Sequence, residues 1–447
     1  MLTQINVFYT FIFLLLYNES MDFYSHLLSS LPKEEVDLLL SSLEKEDCHA
    51  VLLNIEKISD EEFIKEFPLV KKHPIVNHAY IYDKNVYPLG KHLYHELGYY
   101  YLQEPSAMIV SSLIDFEEND LVLDLCAAPG GKSVQASMKM NGNGLIISND
   151  ISTSRAFLIS NNAERLGLRN LLITNNDFEE IYKRYENTFD KIILDAPCSG
   201  SGMFRKNDLM KEDWSINKVM KFSEIQKQLI EIAFFMLKPG GLLSYSTCSY
   251  SKEEDEDVIS YLLNKYEAEV IPLSIPNGYI NPLSPIGVRL MPSHFDGEGQ
   301  YICQIKKAGQ SKLTTYKNEN KDQKLLTDSF KESDSKRFGS SLFVLSNSVN
   351  YKPLKIIRYG VKVGEENKGI FKYDLHYARA INKKDEFHRI ELSLDEVKRY
   401  LEGNTLNKRT NYNGYVLLTY KNNSIDIAKT DGNIIKNYYP KGLRRKY

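Results

Sequence analysis

Residues 33–46, "KEEVDLLLSSLEKE", place Val36, Leu39, Leu40 and Leu43 on one face at helical spacing, so the chain opens with an amphipathic helix. From 121 to about 307 the pattern changes. Short apolar runs, "LVLDL", "LIISND", "LLITNND", "KIILDAPC", "LLSYSTC" and "YICQIKK", alternate with helix-like stretches. Such alternation predicts βαβ units and a mostly parallel sheet covered on both faces, an α/β architecture. One intervening helix is expected to start at a capping box, Ser223 with Gln226, to place Phe222, Ile225, Leu229, Ala233 and Met236 on one face, and to end at Pro239-Gly240-Gly241. Between Phe67 and Gly98 the chain is rich in Tyr, His and Pro. The polar stretch 306–337 reads as a linker or solvated insertion. Beyond it, "SLFVLS", "GYVLLTY" and a helical stretch around Leu392 to Leu401 predict a small α+β or β-rich domain.

The length of 447 residues suits two or three domains, and 43% apolar with 26% charged residues describes an ordinary globular protein. A net charge of −3 gives no global attraction to nucleic acid, so such a partner must be held by local basic patches. Five cysteines, 48, 126, 198, 248 and 303, without C-x-x-C spacing argue against a disulfide framework and a zinc knuckle, and for a reducing cytoplasm. The apolar segment 7–17 lacks a preceding Lys or Arg and a following cleavage site, and is short of the roughly 20 residues that span a bilayer. Residues 1–20 read instead as a possible non-native extension, with Met21 as the true start.

"VLDLCAAPGGKS" runs an apolar strand into a glycine pair, but a phosphate loop would need glycine at Cys126, and the dinucleotide pattern needs spaced glycines. What remains is a buried strand that delivers Asp124, a loop that lets backbone approach a ligand, and a helix from about Ser133. Asp124, Asp150, Asp177 and Asp195 each end a successive expected strand, where open α/β sheets bind ligands. Asp150 can accept from both ribose hydroxyls and Asp177 from an adenine amino group, although either is also a natural helix cap. A nucleoside ligand without obligatory phosphate points to S-adenosylmethionine, held by Cys126, Ala127, Ala128, Pro129, Gly130, Gly131, Lys132, Asp150, Asp177 and Asp195.

"DLCAAPGGKS", "DAPCSGSGMFRK", "YSTCSYSKEEDE" and "RLMPSHFDGEGQYICQIKK", approached by "YYLQEPSAM", together resemble the Nol/Nop/Sun family of RNA cytosine-5 methyltransferases. "YPKGLRR" is similar to the end of its RsmF-type bacterial branch, which modifies 16S ribosomal RNA. The resemblance implies a Rossmann-like catalytic domain, an N-terminal helical or mixed extension, and a C-terminal PUA-like RNA-binding domain. The expected division is 1–20, 21–104 (RNA-binding approach), 105–307 (catalytic), 308–337 (linker) and 338–447 (PUA-like). It also implies Cys248 as the nucleophile that adds to carbon 6 of cytosine, and Cys198 as the group that releases product. Asp195 would hydrogen-bond the base or protonate its nitrogen 3. Lys132 reads either as a helix-start residue or as a group orienting the cofactor or Asp195.

Cys303 departs from the family pattern and is expected in the core. Arg205 and Lys206 are candidate phosphate clamps and Phe204 a stacking residue, against a solvated lid as the alternative. Lys441, Arg444, Arg445 and Lys446, beside Tyr438 and Tyr439, suit RNA backbone contact. The expected partner is ribosomal RNA or the small ribosomal subunit, met by a cytoplasmic monomer with no membrane attachment. Transfer RNA is the near alternative substrate, and a non-catalytic ribosome-assembly factor the alternative of a different class. Amino-group methylation would favour an Asn/Asp-Pro-Pro-Tyr/Phe motif where this chain has "DAPC".

Overall fold

The computed structural model describes residues 22–276 and 286–446. The expected extension, 1–20, lies outside the described residues. Helix Phe23–Leu28 is capped by Asp22, whose carboxylate accepts from the Ser25 N–H. Helix Lys33–Leu43 buries Val36 and Leu39 with Leu40 and Leu43 half-buried, the face its periodicity predicts. Both helices pack on Tyr250 and Met291.

An antiparallel sheet follows, formed by β1 (His49–Leu53), β2 (Lys71–Lys72), β3 (Ala79–Tyr82) and β4 (Tyr100–Gln103) in the order β2-β3-β1-β4. The central sheet takes β5 (Leu121–Asp124), β6 (Leu145–Asn149), β7 (Leu171–Thr174), β8 (Phe189–Asp195), β9 (Leu237–Thr247), β10 (Ala268–Ile271), β11 (Val288–Leu290) and β12 (Gln300–Lys307). Further on come β13 (Asp334–Phe338), β14 (Ser341–Leu345) and β15 (Ile356–Tyr359). The central order is β10-β12-β9-β8-β5-β6-β7-β15, with β11 beside β12. The five strands from β9 to β7 are parallel, while β12 and β15 run antiparallel to their neighbours. Buried parallel strands need cover on both faces. Helices Ile216–Met236 and Glu256–Lys265 cover one face, and Gly131–Lys139 and Thr153–Leu166 the other.

Helix Ile216–Met236 ends where expected but starts earlier, capped by Ser215 accepting from the Lys218 N–H. Ser223 and Gln226 therefore form no capping box. Both are buried inside the helix, and their side chains donate to the carbonyls of Glu253 and Pro197, because tertiary partners lie against this face.

After β15 come β16 (Val361–Asn367) and β17 (Ile370–Tyr373), which join β13 and β14 in a four-stranded sheet. The last sheet takes β18 (Arg389–Glu391), β19 (Leu406–Asn407), β20 (Gly414–Tyr420), β21 (Asn423–Thr430) and β22 (Ile434–Lys436), ordered β18-β20-β21-β22-β19. Residues 308–333 run as a strap: the Tyr316 hydroxyl donates to the carbonyls of Asn119 and Asp120, and the Asn318 amide to those of Glu332 and Ser346. The Tyr-rich 67–100 stretch shares one core with the last sheet, Phe67, Tyr94 and Tyr99 clustering with Val397, Val416 and Tyr439. Among the described residues no helix is long and apolar enough to cross a membrane.

Candidate active site

Strand order reverses beside β5, which lies between β6 and β8, and a crevice at such a switch point is the expected ligand site. Asp195 and Ser246 sit opposite each other in the β8–β9 register. Cys198 lies three residues past Asp195 and Cys248 two past Ser246, so adjacent strand ends bring both cysteines together. Their Sγ atoms are 3.1 Å apart and both residues are half-buried. The thiol–thiol hydrogen bond, and then burial, push the Cys198 pKa well above its ordinary value, so Cys198 is held as the neutral thiol.

Asp195 accepts from Lys132 Nζ at 2.6 Å on one oxygen, and from the Ser246 hydroxyl at 2.6 Å and the Gln300 amide at 3.1 Å on the other. Burial opposes the Lys132 charge, but Asp195, Asp124 and Cys248 outweigh it and raise its pKa, so Lys132 is a fixed cation beside the thiols. Its contact with Asp195 places it in the site and not merely at a helix start.

The glycines of the loop between β5 and helix Gly131–Lys139 let it pack closely on Ile159 and Gln103. Gly130 adopts φ +108°, which favours glycine, and a Cβ on Gly131 would meet the Gln103 side chain at 2.7 Å. Ala127, Ala128, Gly130, Gly131 and Lys132 are buried, Cys126 is half-buried and Pro129 exposed. Burial and the surrounding carboxylates push the Cys126 thiol well up, which keeps it neutral. Asp150, buried, accepts from the Ala128 N–H at 3.2 Å and the Ser152 N–H at 2.8 Å, with the Arg155 guanidinium 3.7 Å away. Asp124 is fully buried. One of its oxygens takes the Ser133 hydroxyl at 2.7 Å, while Oδ1 has no hydrogen-bond partner, and burial pushes its pKa up to about 7. An orphaned buried carboxylate oxygen between Lys132 and two further carboxylates fits a ligand that carries positive charge.

Asp177 is drawn less tightly into this group. It is exposed and caps helix Phe178–Tyr182, accepting from the Glu179 N–H at 3.0 Å while Glu180 returns the capping-box bond. Arg205 is no phosphate clamp. Its side chain is 3% exposed, bonded to Glu298 at 2.8 Å, itself 2% exposed, and to the Gly297 carbonyl at 2.5 Å. Phe204 is buried edge-on against Phe23, so it offers no face to a base. Burying these two side chains ties the loop to the N-terminal helices, whereas Lys206 stays half-exposed. At the C-terminus Tyr439 is buried and donates to Glu96 at 2.5 Å, Arg445 pairs with Glu96 at 3.0 Å, and Arg444 bonds the Tyr439 carbonyl and Asn437. Lys441, Arg445 and Lys446 are exposed. Cys303 is buried in β12 with its thiol pushed up to about 12, as expected of a core residue.

Sequence reasoning passed over Ser246, Gln300 and Glu254. Glu254 is fully buried and bonded to Ser199 and Ser249, the residue after each cysteine. The repeated Cys-Ser pair was the available signal.

Family sequence models match in three places: the 16S rRNA methyltransferase RsmB/F over residues 111–306, the N-terminal domain of the 16S rRNA methyltransferase RsmF over 20–105, and the methyltransferase RsmF PUA domain over 387–445. The ribosomal RNA small subunit methyltransferase F of Vibrio vulnificus is 30% identical over 390 residues, 81% of this chain and 83% of its own. The protein of the same name from Psychromonas ingrahamii is 30% identical, covering 80% and 82%. Among solved structures, a methyltransferase homolog from Pyrococcus horikoshii superposes with a TM-score of 0.54 at 29% identity, over 62% of this chain and 92% of that one. The P. horikoshii NSun6 structure with SFG shares the fold at a TM-score of 0.59 and 20% identity, over 65% and 98%. With its Rossmann-like catalytic sheet, N-terminal domain and C-terminal PUA domain, the chain belongs to the RsmF branch of the 16S rRNA methyltransferase RsmB/F family.

Proposed function

We propose that this protein methylates carbon 5 of a cytosine in 16S ribosomal RNA, with S-adenosylmethionine as donor and Cys248 as covalent nucleophile. The observation that carries the reading is the pair of thiols 3.1 Å apart beside the Lys132–Asp195 ion pair, at the ends of adjacent parallel strands. Carbon 5 of cytosine is a weak nucleophile until a thiolate adds to carbon 6 and makes the ring enamine-like. Cys248 is suited to that attack because its sulfur lies 3.1 Å from that of Cys198 and the Lys132 cation supplies positive charge nearby. Asp195, held by Lys132, Ser246 and Gln300, faces the same space and can accept from the cytosine amino group.

When bound, the cofactor supplies an electrophilic methyl group on a cationic sulfur. Residues 126–132 and Asp150 would hold it, Asp124 would face its positive charge, and exposed Asp177 remains the proposed adenine contact at the rim. After carbon 5 is methylated, Cys248 is an uncharged thioether. Cys198, 3.1 Å from that sulfur, is then the group placed to take the carbon 5 proton as Cys248 leaves, having given its own proton to solvent. Residues 338–447, the PUA-like part, together with 21–104, would hold the RNA, and the reading places the protein in the cytoplasm as a monomer.

The test is methylation of 16S RNA and of small subunits by the purified protein, read by bisulfite sequencing. Wild type should protect a defined cytosine and Cys248→Ala none. Methylation retained by Cys248→Ala would refute the nucleophile assignment, and modification of transfer RNA alone would refute the substrate.

A further inference from the structure

Each cysteine of the pair sits on a turn whose next residue is serine. Both serines converge on Glu254, from the acidic run 253–257 that follows Cys248. Glu254 Oε1 accepts from the Ser199 N–H at 2.8 Å and the Gln226 amide at 3.1 Å. Its Oε2 accepts from the Ser199 and Ser249 hydroxyls, each at 2.5 Å. All four donors come from outside the 253–257 run: one from the Cys198 turn's backbone, one from its side chain, one from the Cys248 turn and one from helix Ile216–Met236.

The nearby cation does other work, since Arg289 pairs with Glu256 and Asp255. The two turns share further hydrogen bonds, among them Gly202 N–H to the Cys248 carbonyl at 2.7 Å, Tyr250 N–H to the Ser201 hydroxyl at 2.9 Å and a long Ser199–Ser249 hydroxyl contact at 3.4 Å. Glu254 bonds both serines at 2.5 Å, against 3.4 Å for their own contact, and so ties down the residue adjoining each sulfur. A fully buried carboxylate without a cation is costly, and among the described residues these four bonds are what offset it.

We propose that Glu254 is a positioning residue that sets the distance between Cys198 and Cys248 by clasping Ser199 and Ser249. The inference rests on the cysteine roles proposed above for its effect on rate, but the spacing it sets is measurable without any RNA. Cutting the clasp frees the turns to part, and a misplacement of about 1 Å between reacting groups can cost roughly 100-fold in rate.

The experiment uses full-length wild type, Glu254→Ala and Glu254→Gln. In Glu254→Gln the new carboxamide can turn its carbonyl to the Ser199 N–H and Gln226 and donate its N–H groups to the two hydroxyls, which can accept, so this variant should rescue. Each protein is incubated with glutathione disulfide, which oxidises the two thiols to one disulfide and leaves as two glutathione thiols. The Cys198–Cys248 peptide is quantified by mass spectrometry. Glu254→Ala should form it about tenfold or more slowly than wild type, with Glu254→Gln near wild type. In methylation assays Glu254→Ala should lose kcat roughly 100-fold with cofactor KM unchanged.

Wild-type oxidation and kcat in Glu254→Ala would overturn the proposal, as would Glu254→Gln failing as badly as Glu254→Ala. Should Glu254→Ala not fold, the Ser199→Ala, Ser249→Ala double variant removes both hydroxyl donors and is read the same way. If Cys248→Ala still methylates, the covalent reading falls while the oxidation rates still decide the clasp.

Discussion

Cofactor binding should strengthen as pH rises towards 7, and Asp124 should be the cause. Buried without a second partner for Oδ1, its carboxyl is pushed up to about 7 from an ordinary value of 3.8. The folded state therefore keeps a proton that the unfolded chain releases between about pH 4 and 7. Over that window the free protein loses stability as pH rises, by on the order of 4 kcal/mol from this group. A ligand bearing positive charge prefers the ionised form. Its apparent affinity follows the ionised fraction, about one tenth at pH 6 and one half at pH 7, a gain of about fivefold. Calorimetric titration of S-adenosylmethionine between about pH 5.5 and 7 stays below the range in which an α-amino group of pKa about 7.7–8.0 titrates. Asp124→Asn keeps the neutral shape already present at low pH, so it should fold normally at about pH 6 and bind with a flat pH profile. Parallel slopes in wild type and Asp124→Asn, or binding that weakens towards neutrality, would refute the placement of Asp124 against the cofactor's charge.

Cys198→Ala should accumulate a protein–RNA species stable on a denaturing gel, because the base for carbon 5 is gone while Cys248 can still add; the absence of such a band counts against its release role. Arg205→Ala should cost about 3–5 kcal/mol in denaturant unfolding by stranding buried Glu298, yet leave the salt dependence of RNA binding unchanged. A shallower salt slope would instead restore Arg205 as a phosphate contact. Tyr439→Phe should destabilise by about 1–3 kcal/mol, since it removes a donor from buried Glu96. An unchanged unfolding midpoint would show that Arg379 and Arg445 satisfy Glu96 alone.

The parts of this molecule that were legible in its sequence are those fixed by short-range periodicity: the central strands, the glycine loop and the placing of acids and cysteines at strand ends. What periodicity could not supply was which strand lies beside which. Cys198 and Cys248 are 50 residues apart, and only the adjacency of β8 and β9, with Asp195 opposite Ser246, turns two separate motifs into one pair of sulfurs. The same limit explains the misreadings. Ser223 and Gln226 have the spacing of a cap, and Phe204-Arg205-Lys206 the composition of an RNA contact, but their surroundings come from residues far off in the chain: Glu253 and Pro197 in the first case, Phe23 and Glu298 in the second. Charge is where composition misleads most. In the acidic run 253–257, Glu254, Asp255 and Glu256 are all buried, taking donors from the two cysteine turns, Thr247 and Arg289. A carboxylate is removed from water at such cost only where its hydrogen bonds are supplied by the fold. Buried acids without an obvious cation therefore mark places where distant segments are held to one another, and in this chain Glu254 does so beside the two thiols.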